Sequence, residues 1–434
     1  MVKEPLFTVV IPAKDRADYL YHTLRTCALQ DYGNLEVIVS DDGSTDHTRS
    51  VIESASKADA RIRYVSPGME VGMRENFEFA LRQVRPGYVI ALGADDGLLP
   101  HAIQGMLQVM RDTGQELLAW PTPIYSYAGA RTPTSQLMLY RRDKVRVIEA
   151  QQFLANQVEH LYYLGDIESP MFYVKGVVST ELIDRVKGRS SDGRFYCCPT
   201  PDGYSGIVLA GEVSTYAFSG KPFSIYGVSP SSQGMSYLAG DDEARKRSEA
   251  FFQNVADAPM HACLASQPYS PLISLMTADY LLTAADLPGW PGKFPPIDYR
   301  RLLKKGLDEL GHGLFSNSRL ARELNILRGI ASMHGLGDFF TQMLGRTRRY
   351  AKKDHFAGNG LSPGQFFLDG DMYGMHNIFD AAYFAYCAHE FLPKTSLSTV
   401  GQAMCNSIRY RLLSRRRGEP FPIESTWRAE LKGP

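Results

Sequence analysis

Three short polar segments of this chain carry residues suited to binding a charged, hydrogen-bonding ligand. They are Pro12-Ala13-Lys14-Asp15-Arg16, Asp41-Asp42-Gly43-Ser44-Thr45-Asp46, and Asp95-Asp96. A vicinal acidic pair offers hard carboxylate oxygens. Mg²⁺ or Mn²⁺ needs only one or two of these when phosphate oxygens and water complete its shell. Alone, any one segment reads as a helix cap or an acidic turn, because Asp, Ser and Thr satisfy free N–H groups at helix starts. Their shared context is narrower, since each directly follows a short apolar run.

Those runs are the expected strands: Phe7 to Ile11, Leu35 to Ser40 and Tyr88 to Leu92, with another at Arg61 to Val65. Helical spacing of apolar residues lies between them, over Ala17 to Gln30, up to about Ala58, and over Glu75 to Val84. Strands alternating with helices imply right-handed crossovers and a parallel sheet. Ligands bind outside the carboxyl ends of such strands, which puts the three polar segments on one edge. A nucleotide-sugar suits that edge. Its base and ribose need hydrogen-bond partners, and its diphosphate gains charge as the glycosidic bond breaks, a charge that a divalent cation offsets. Asp95-Asp96 would supply one metal ligand and one contact to ribose or donor sugar.

A length of 434 residues exceeds one ordinary core and implies two domains. Beyond about Asp241 helical periodicity dominates, over Arg245 to Val255, Leu272 to Ala285, Tyr299 to Leu310, Ser318 to Gly345 and Asn377 to Phe391. The expected boundary is Gly240-Asp241-Asp242, separating a catalytic domain over 1–238 from a mainly helical one over 239–434. With 47 basic and 47 acidic residues the formal net charge is zero, so nothing global favours nucleic acid. The six cysteines lack zinc-ligand spacing, and the pair Cys197-Cys198 reads as two partly buried thiols. Such usage fits a reducing cytosol. The N-terminal apolar run is short and leads straight into a strand, unlike a signal peptide. No stretch approaches the roughly 20 apolar residues of a spanning helix. A cytoplasmic protein is expected, with peripheral attachment at the inner face of the membrane as a further option. Basic runs such as Arg346-Thr347-Arg348-Arg349-Tyr350 and Arg415-Arg416-Arg417 would serve that attachment.

The segments FTVVIPAKDRADYL, VIVSDDGSTDHT and YVIALGADDGLLP, in this order and spacing, resemble the N-terminal domain of family 2 glycosyltransferases. The resemblance covers about residues 5–235. It implies a GT-A fold, Rossmann-like and mostly parallel, and an inverting transfer from a UDP-, dTDP- or GDP-sugar to a hydroxyl acceptor. That acceptor would be a saccharide, a lipid-linked saccharide or a small molecule. Carried over by position, Pro12, Ala13, Lys14, Asp15 and Arg16 line the nucleotide pocket and Asp42 meets the base. Arg74 and Asn76 face the nucleotide or diphosphate. Asp95 and Asp96 match the metal motif, with Asp96 as the expected direct ligand of Mn²⁺ or Mg²⁺.

The resemblance also implies a general base about a hundred residues past the acidic pair, at a helix start. Asp202 fits that context and would equally cap its helix, while Asp192 is the nearest rival. Many members place a histidine after the last catalytic-domain strand to complete the metal site. Here the matching position holds Ser229, which implies fewer protein ligands, and Gln233 and nearby serines would touch phosphate instead. The helical half would shape the acceptor site or mediate homo-oligomerisation. Two other readings stay open: a nucleotidyltransferase-like enzyme, against which stands the lack of glycines at Pro12 to Arg16, and a non-catalytic nucleotide-binding module.

Overall fold

The first apolar run forms strand β1, Phe7–Ala13, buried at every position but Pro12. It pairs in parallel with β2 (Leu35–Asp41) on one side and β4 (Tyr88–Ala91) on the other. Strand β3 (Ile62–Val65) continues the parallel set beyond β2. Helices α1 (Ala17–Ala28), α2 (Thr48–Ala58) and α3 (Met73–Leu81) make the crossovers. Both faces of β1 and β2 are therefore covered, which is why these strands read as unbroken apolar runs. The computed structural model describes residues 4–140, 144–232, 246, 248–251, 255, 258–311, 317–347, 358–362 and 365–391.

Two short strands follow β4 in different sheets. The main sheet has eight strands in the order β3-β2-β1-β4-β10-β6-β11-β9. Its second half holds β6 (Leu117–Ala119), β9 (Arg146–Glu149), β10 (Gly176–Ser179) and β11 (Thr215–Phe218). Strand β10 runs antiparallel between β4 and β6, so the parallel half ends at β4. Helices α4 (Ala102–Thr113), α5 (Ala150–His160), α6 (Thr180–Lys187) and α7 (Pro201–Gly211) belong to this half. A smaller sheet contains β5 (Gly97–Leu98), β7 (Ile124–Ser126), β8 (Gln136–Tyr140) and β12 (Ser224–Val228). This is the mostly parallel α/β sheet flanked by helices that the sequence implied, followed by a mainly helical region.

That region holds α8 (Ile273–Ala285), α9 (Tyr299–Gly311), α10 (Asn317–Met333), α11 (Gly337–Arg346) and α12 (Ile378–Phe391). The helix expected over Ser318 to Gly345 is two helices. Gly335 takes the left-handed conformation, φ 64°, and Leu336 N–H reaches back to Ala331 O at 2.7 Å. That is the helix stop that glycine permits at no steric cost. The expected boundary at Gly240 to Asp242 lies outside the described residues, as do Arg245, Arg247 and residues 252–254 of the helix expected over Arg245 to Val255, together with Gln233, Arg348 to Tyr350 and Arg415 to Arg417.

The two halves share packing. One apolar cluster runs from Val10 and Phe153 through Tyr204 and Leu209 to Leu275, Leu303 and Leu327. Trp290 Nε1 donates to Val208 O at 3.0 Å. The chain also returns to the first half as a hairpin, β13 (Gly360–Ser362) and β14 (Gln365–Asp369), with β14 antiparallel to β8. Helix α12 then lies against α1, where the Arg25 guanidinium sits 4.0 Å from the Phe379 ring centre. Among the described residues, no helix is long and apolar enough to cross a membrane.

Candidate active site

The turn after β1 and the turn after β2 are stitched together. Asp15, at φ 48°, donates its N–H to Ser44 Oγ at 2.9 Å. Its Oδ1 accepts from Thr45 N–H at 2.7 Å. Asp46 closes the seam by accepting from Ala17 N–H and Thr48 N–H at 3.1 and 2.9 Å. The Asp15 carboxylate thus holds one loop to the other. Arg16 spans the site, donating to Ser231 O at 2.7 Å in the loop after β12. Lys14 pairs with Glu70.

Asp42 is buried, and its two oxygens accept from Val71 and Gly72 N–H at 2.7 and 3.0 Å. Burial raises its pKa, against the pull of those two N–H groups. The side chain of Asn76 is buried against Ser40, accepting from Oγ at 2.6 Å and donating to the carbonyl at 3.1 Å, and so fixes the end of β2. Arg74 pairs with Glu75 at 3.1 Å, and Arg194 binds the same Glu75 oxygen.

The acidic pair divides differently from expectation. Asp96 is fully buried. Its Oδ2 accepts from Gly93 N–H at 2.6 Å and its Oδ1 from Gly227 N–H at 2.8 Å. The Tyr173 hydroxyl adds a further bond. Desolvation and the neighbouring Asp95 push its pKa well above the carboxylate range. Asp96 thus joins the β4 turn to β12 through both of its oxygens. Asp95 keeps its reach. Its Oδ2 accepts from Ser229 Oγ at 2.7 Å and Ser232 Oγ at 3.1 Å. No described residue donates to its Oδ1. Gly227 lets β12 lie against the Asp95 carbonyl, because any Cβ there would overlap that oxygen. Among the described residues no group of three or more His, Cys, Asp or Glu could hold a metal. The donor set that remains is one hard carboxylate, which fits Mg²⁺ or Mn²⁺ completed by phosphate oxygens and water.

Asp202 lies in the first turn of α7, beside Pro201 at the helix start. Its Oδ1 is buried without a hydrogen-bond partner, and its Oδ2 accepts a long 3.4 Å bond from the Tyr163 hydroxyl. Burial raises its pKa, while the Gly203 N–H, the Tyr163 hydroxyl and the Lys175 ammonium pull it back. A buried carboxylate with one oxygen unpartnered suits taking up a proton. The tyrosines that feel its charge are Tyr163, Tyr173, Tyr196, Tyr226, Tyr269 and Tyr280. Tyr173 and Tyr226, whose rings meet edge to face at 6.5 Å, feel Asp95 and Asp96 as well, so one wall of tyrosine rings senses all three acids. The rival Asp192 is exposed and tied to Ser190 and Arg194 at 2.5 and 2.8 Å.

Ser232, Tyr173, Tyr163, Lys175 and Arg194 were not among the expected site residues. Lys175 alone left a signal, as a single charge inside the apolar stretch from Met171 to Val178.

Residues 8–163 match the family model described as glycosyl transferase family 2. Two curated relatives match part of the chain. The chain is 34% identical over 105 residues to the GalNAc(5)-diNAcBac-PP-undecaprenol beta-1,3-glucosyltransferase of Campylobacter jejuni, covering 24% of this chain and 34% of that protein. It is 50% identical over 66 residues to the validoxylamine A glucosyltransferase of Streptomyces hygroscopicus, covering 14% and 15%. The chain therefore spans about a third of the first relative's length and less of the second. Among solved structures, S. aureus TarS 1-349 in complex with UDP-GlcNAc aligns over 83% of this chain and 95% of its own, at 12% identity and a TM-score of 0.43.

Proposed function

We infer, taking residues 8–163 as a family 2 glycosyltransferase domain, that the chain is an inverting enzyme transferring a sugar from a nucleotide-diphospho-sugar to an acceptor hydroxyl. The observation that supports this is Asp202 at the start of α7 with one buried carboxylate oxygen unpartnered, its charge felt by Tyr173 as is that of Asp95.

The strand-end turns hold the nucleotide. Asp42, fixed by the N–H groups of Val71 and Gly72, presents its remaining lone pairs to the base. Arg16 and Arg74 give the phosphate side its cationic character. Asp95 is the residue that would hold Mn²⁺ or Mg²⁺, whose chemistry is to offset charge growing on a departing diphosphate. Asp202 takes the proton of the acceptor hydroxyl while that oxygen bonds to the anomeric carbon. The bond from that carbon to the diphosphate oxygen breaks on the opposite face, and its electron pair leaves with the diphosphate. Attack opposite the leaving group inverts the centre. Enclosure by Tyr163, Tyr173 and Tyr226 excludes water that would otherwise compete as acceptor.

The relatives are both named glucosyltransferases, which makes a glucosyl donor the first to try. The test is a thermal-shift panel of UDP-, dTDP- and GDP-sugars with Mn²⁺, followed by assay of nucleoside diphosphate release. A ligand that binds only the folded state stabilises it by mass action, about 2.7 kcal/mol at a hundredfold excess over Kd. Stabilisation by one base class with metal-dependent diphosphate release is expected. Stabilisation only by nucleoside triphosphates, with pyrophosphate released from triphosphate and sugar phosphate, would overturn it.

A further inference from the structure

Helix α3 is fixed at its start and offers one face to the segment that leads into α7. Asp42 accepts from Val71 and Gly72 N–H at 2.7 and 3.0 Å, and Asn76 accepts from the Ser40 hydroxyl at 2.6 Å. Glu75 and Glu78, three residues apart, share one side of the helix. Both meet the segment Arg194-Phe195-Tyr196. Arg194 pairs with Glu75. Glu78 Oε2 accepts from Phe195 N–H at 3.1 Å and from Tyr196 N–H at 3.0 Å, with Oε1 3.4 Å from the Phe195 nitrogen. Phe77, between the two acids, meets the Tyr196 ring edge to face with centres 5.7 Å apart.

Glu78 is a costly residue to bury, and it is fully buried. A carboxylate out of water needs donors, and these two N–H groups supply them. The need is mutual. Phe195 and Tyr196 are buried and lie in neither helix nor strand, so no regular ladder provides their N–H groups with acceptors. A charged acceptor makes such bonds roughly twice as strong as a neutral one. Tyr196 stands six residues before Asp202. The stretch between them is held again where the Thr200 and Tyr280 hydroxyls share a hydrogen bond.

We propose that Glu78 is a positioning residue, which through the N–H groups of Phe195 and Tyr196 sets where the segment before α7 stands and so where Asp202 meets the acceptor hydroxyl. Because Asp42 binds the start of the same helix, α3 refers the nucleotide pocket and the base to one rigid element. The claim rests on Asp202 being the base.

The test uses the full chain with the panel's best donor in Mn²⁺. Glu78→Leu fills the space and removes both acceptor oxygens. Its kcat for nucleoside diphosphate release should fall about 10²-fold, the cost of a misplacement of about 1 Å, while Kd for the free nucleoside diphosphate stays within about twofold. Glu78→Gln keeps an oxygen for the two N–H groups and should hold kcat within about threefold of the parent. Amide hydrogen exchange at Phe195 and Tyr196 should be slow in the parent and in Glu78→Gln, and fast in Glu78→Leu. A positioning residue acts only through the group it positions, so Glu78→Leu should cost nothing further in an Asp202→Asn background. Where Glu78→Leu does not fold, Arg194→Gln at the partly exposed end of the same contact decides. Its kcat should fall about three- to tenfold, and not at all once Asp202 is Asn. Parent-like kcat in the deciding variant, a loss of diphosphate affinity as large as the loss of kcat, or an equal further loss in the Asp202→Asn background overturns the proposal. Full turnover by Asp202→Asn alone would instead sink the assignment of the base, whatever Glu78 does.

Discussion

Ser229 donates its hydroxyl to Asp95 Oδ2 at 2.7 Å, so a buried serine holds one oxygen of that carboxylate in place. The other oxygen of Asp95 is left available, whereas both oxygens of Asp96 are bound to backbone N–H groups. The two neighbours should therefore fail differently. Asp95→Asn should fold within about 1 kcal/mol of the parent but lose about 10²–10³-fold in metal-dependent turnover. Asp96→Asn leaves a buried N–H facing an amide, and should lower unfolding free energy by about 2–4 kcal/mol. Chemical denaturation of both variants checks this. Equal destabilisation by the two would contradict it.

Gly227 has no room for a side chain, because a Cβ would overlap the Asp95 carbonyl oxygen. Backbone cannot yield as a flexible side chain does. Gly227→Ala should push β12 away from the β4 turn, break the bond to Asp96 and cost both stability and activity. Gly33→Ala, at a position with open space, should leave both nearly unchanged. Melting temperatures of the pair decide it.

Turnover should carry the mark of a raised carboxyl. Burial lifts the Asp202 pKa above its ordinary value, and the base works only when ionised. As pH falls through that raised pKa, Asp202 gains a proton and kcat/KM should fall tenfold per unit. The acid limb should therefore lie above the range of an ordinary aspartate. A limb at or below about 3.9 would contradict this.

Asp279, buried on α8, gives a stability prediction with a definite sign. Burial holds its pKa up at about 6, and the His261 N–H bonds its Oδ1 at 2.7 Å. The folded state binds the proton more tightly than the unfolded chain. Its contribution is fully present below about 4 and is lost as pH rises through about 6. Asn keeps an acceptor for the His261 N–H and carries no charge. Asp279→Asn should therefore stabilise at pH 8 by about 2 kcal/mol relative to the parent, and by little at pH 4. Urea unfolding at the two pH values measures the difference.

The parallel half was legible because β1, β2 and β4 are buried on both faces, and burial writes itself as apolar runs ended by polar turns. The convergence of Asp42, Asp95 and Arg16 followed from that register. What each carboxylate does was not legible. Asp96 accepts from an N–H on Gly227, 131 residues onward, and Asn76 on α3 is bound to Ser40 on β2. No local pattern records such partners. The tyrosine wall draws on segments from Tyr163 to Tyr280, each of which reads alone as core. Strands β13 and β14 are three and five residues long, and β14 pairs with β8, more than 200 residues earlier, a separation at which short runs carry no signal.

The most direct measurement compares nucleoside diphosphate release from the panel's best donor, in Mn²⁺, by the parent enzyme and by Asp202→Asn, alongside binding of the free nucleoside diphosphate. Removing the base while leaving the nucleotide pocket intact should lower turnover by about 10²–10⁴-fold with diphosphate affinity unchanged. Equal turnover by the two proteins, at equal affinity, would contradict the assignment of Asp202 and with it the account of the reaction.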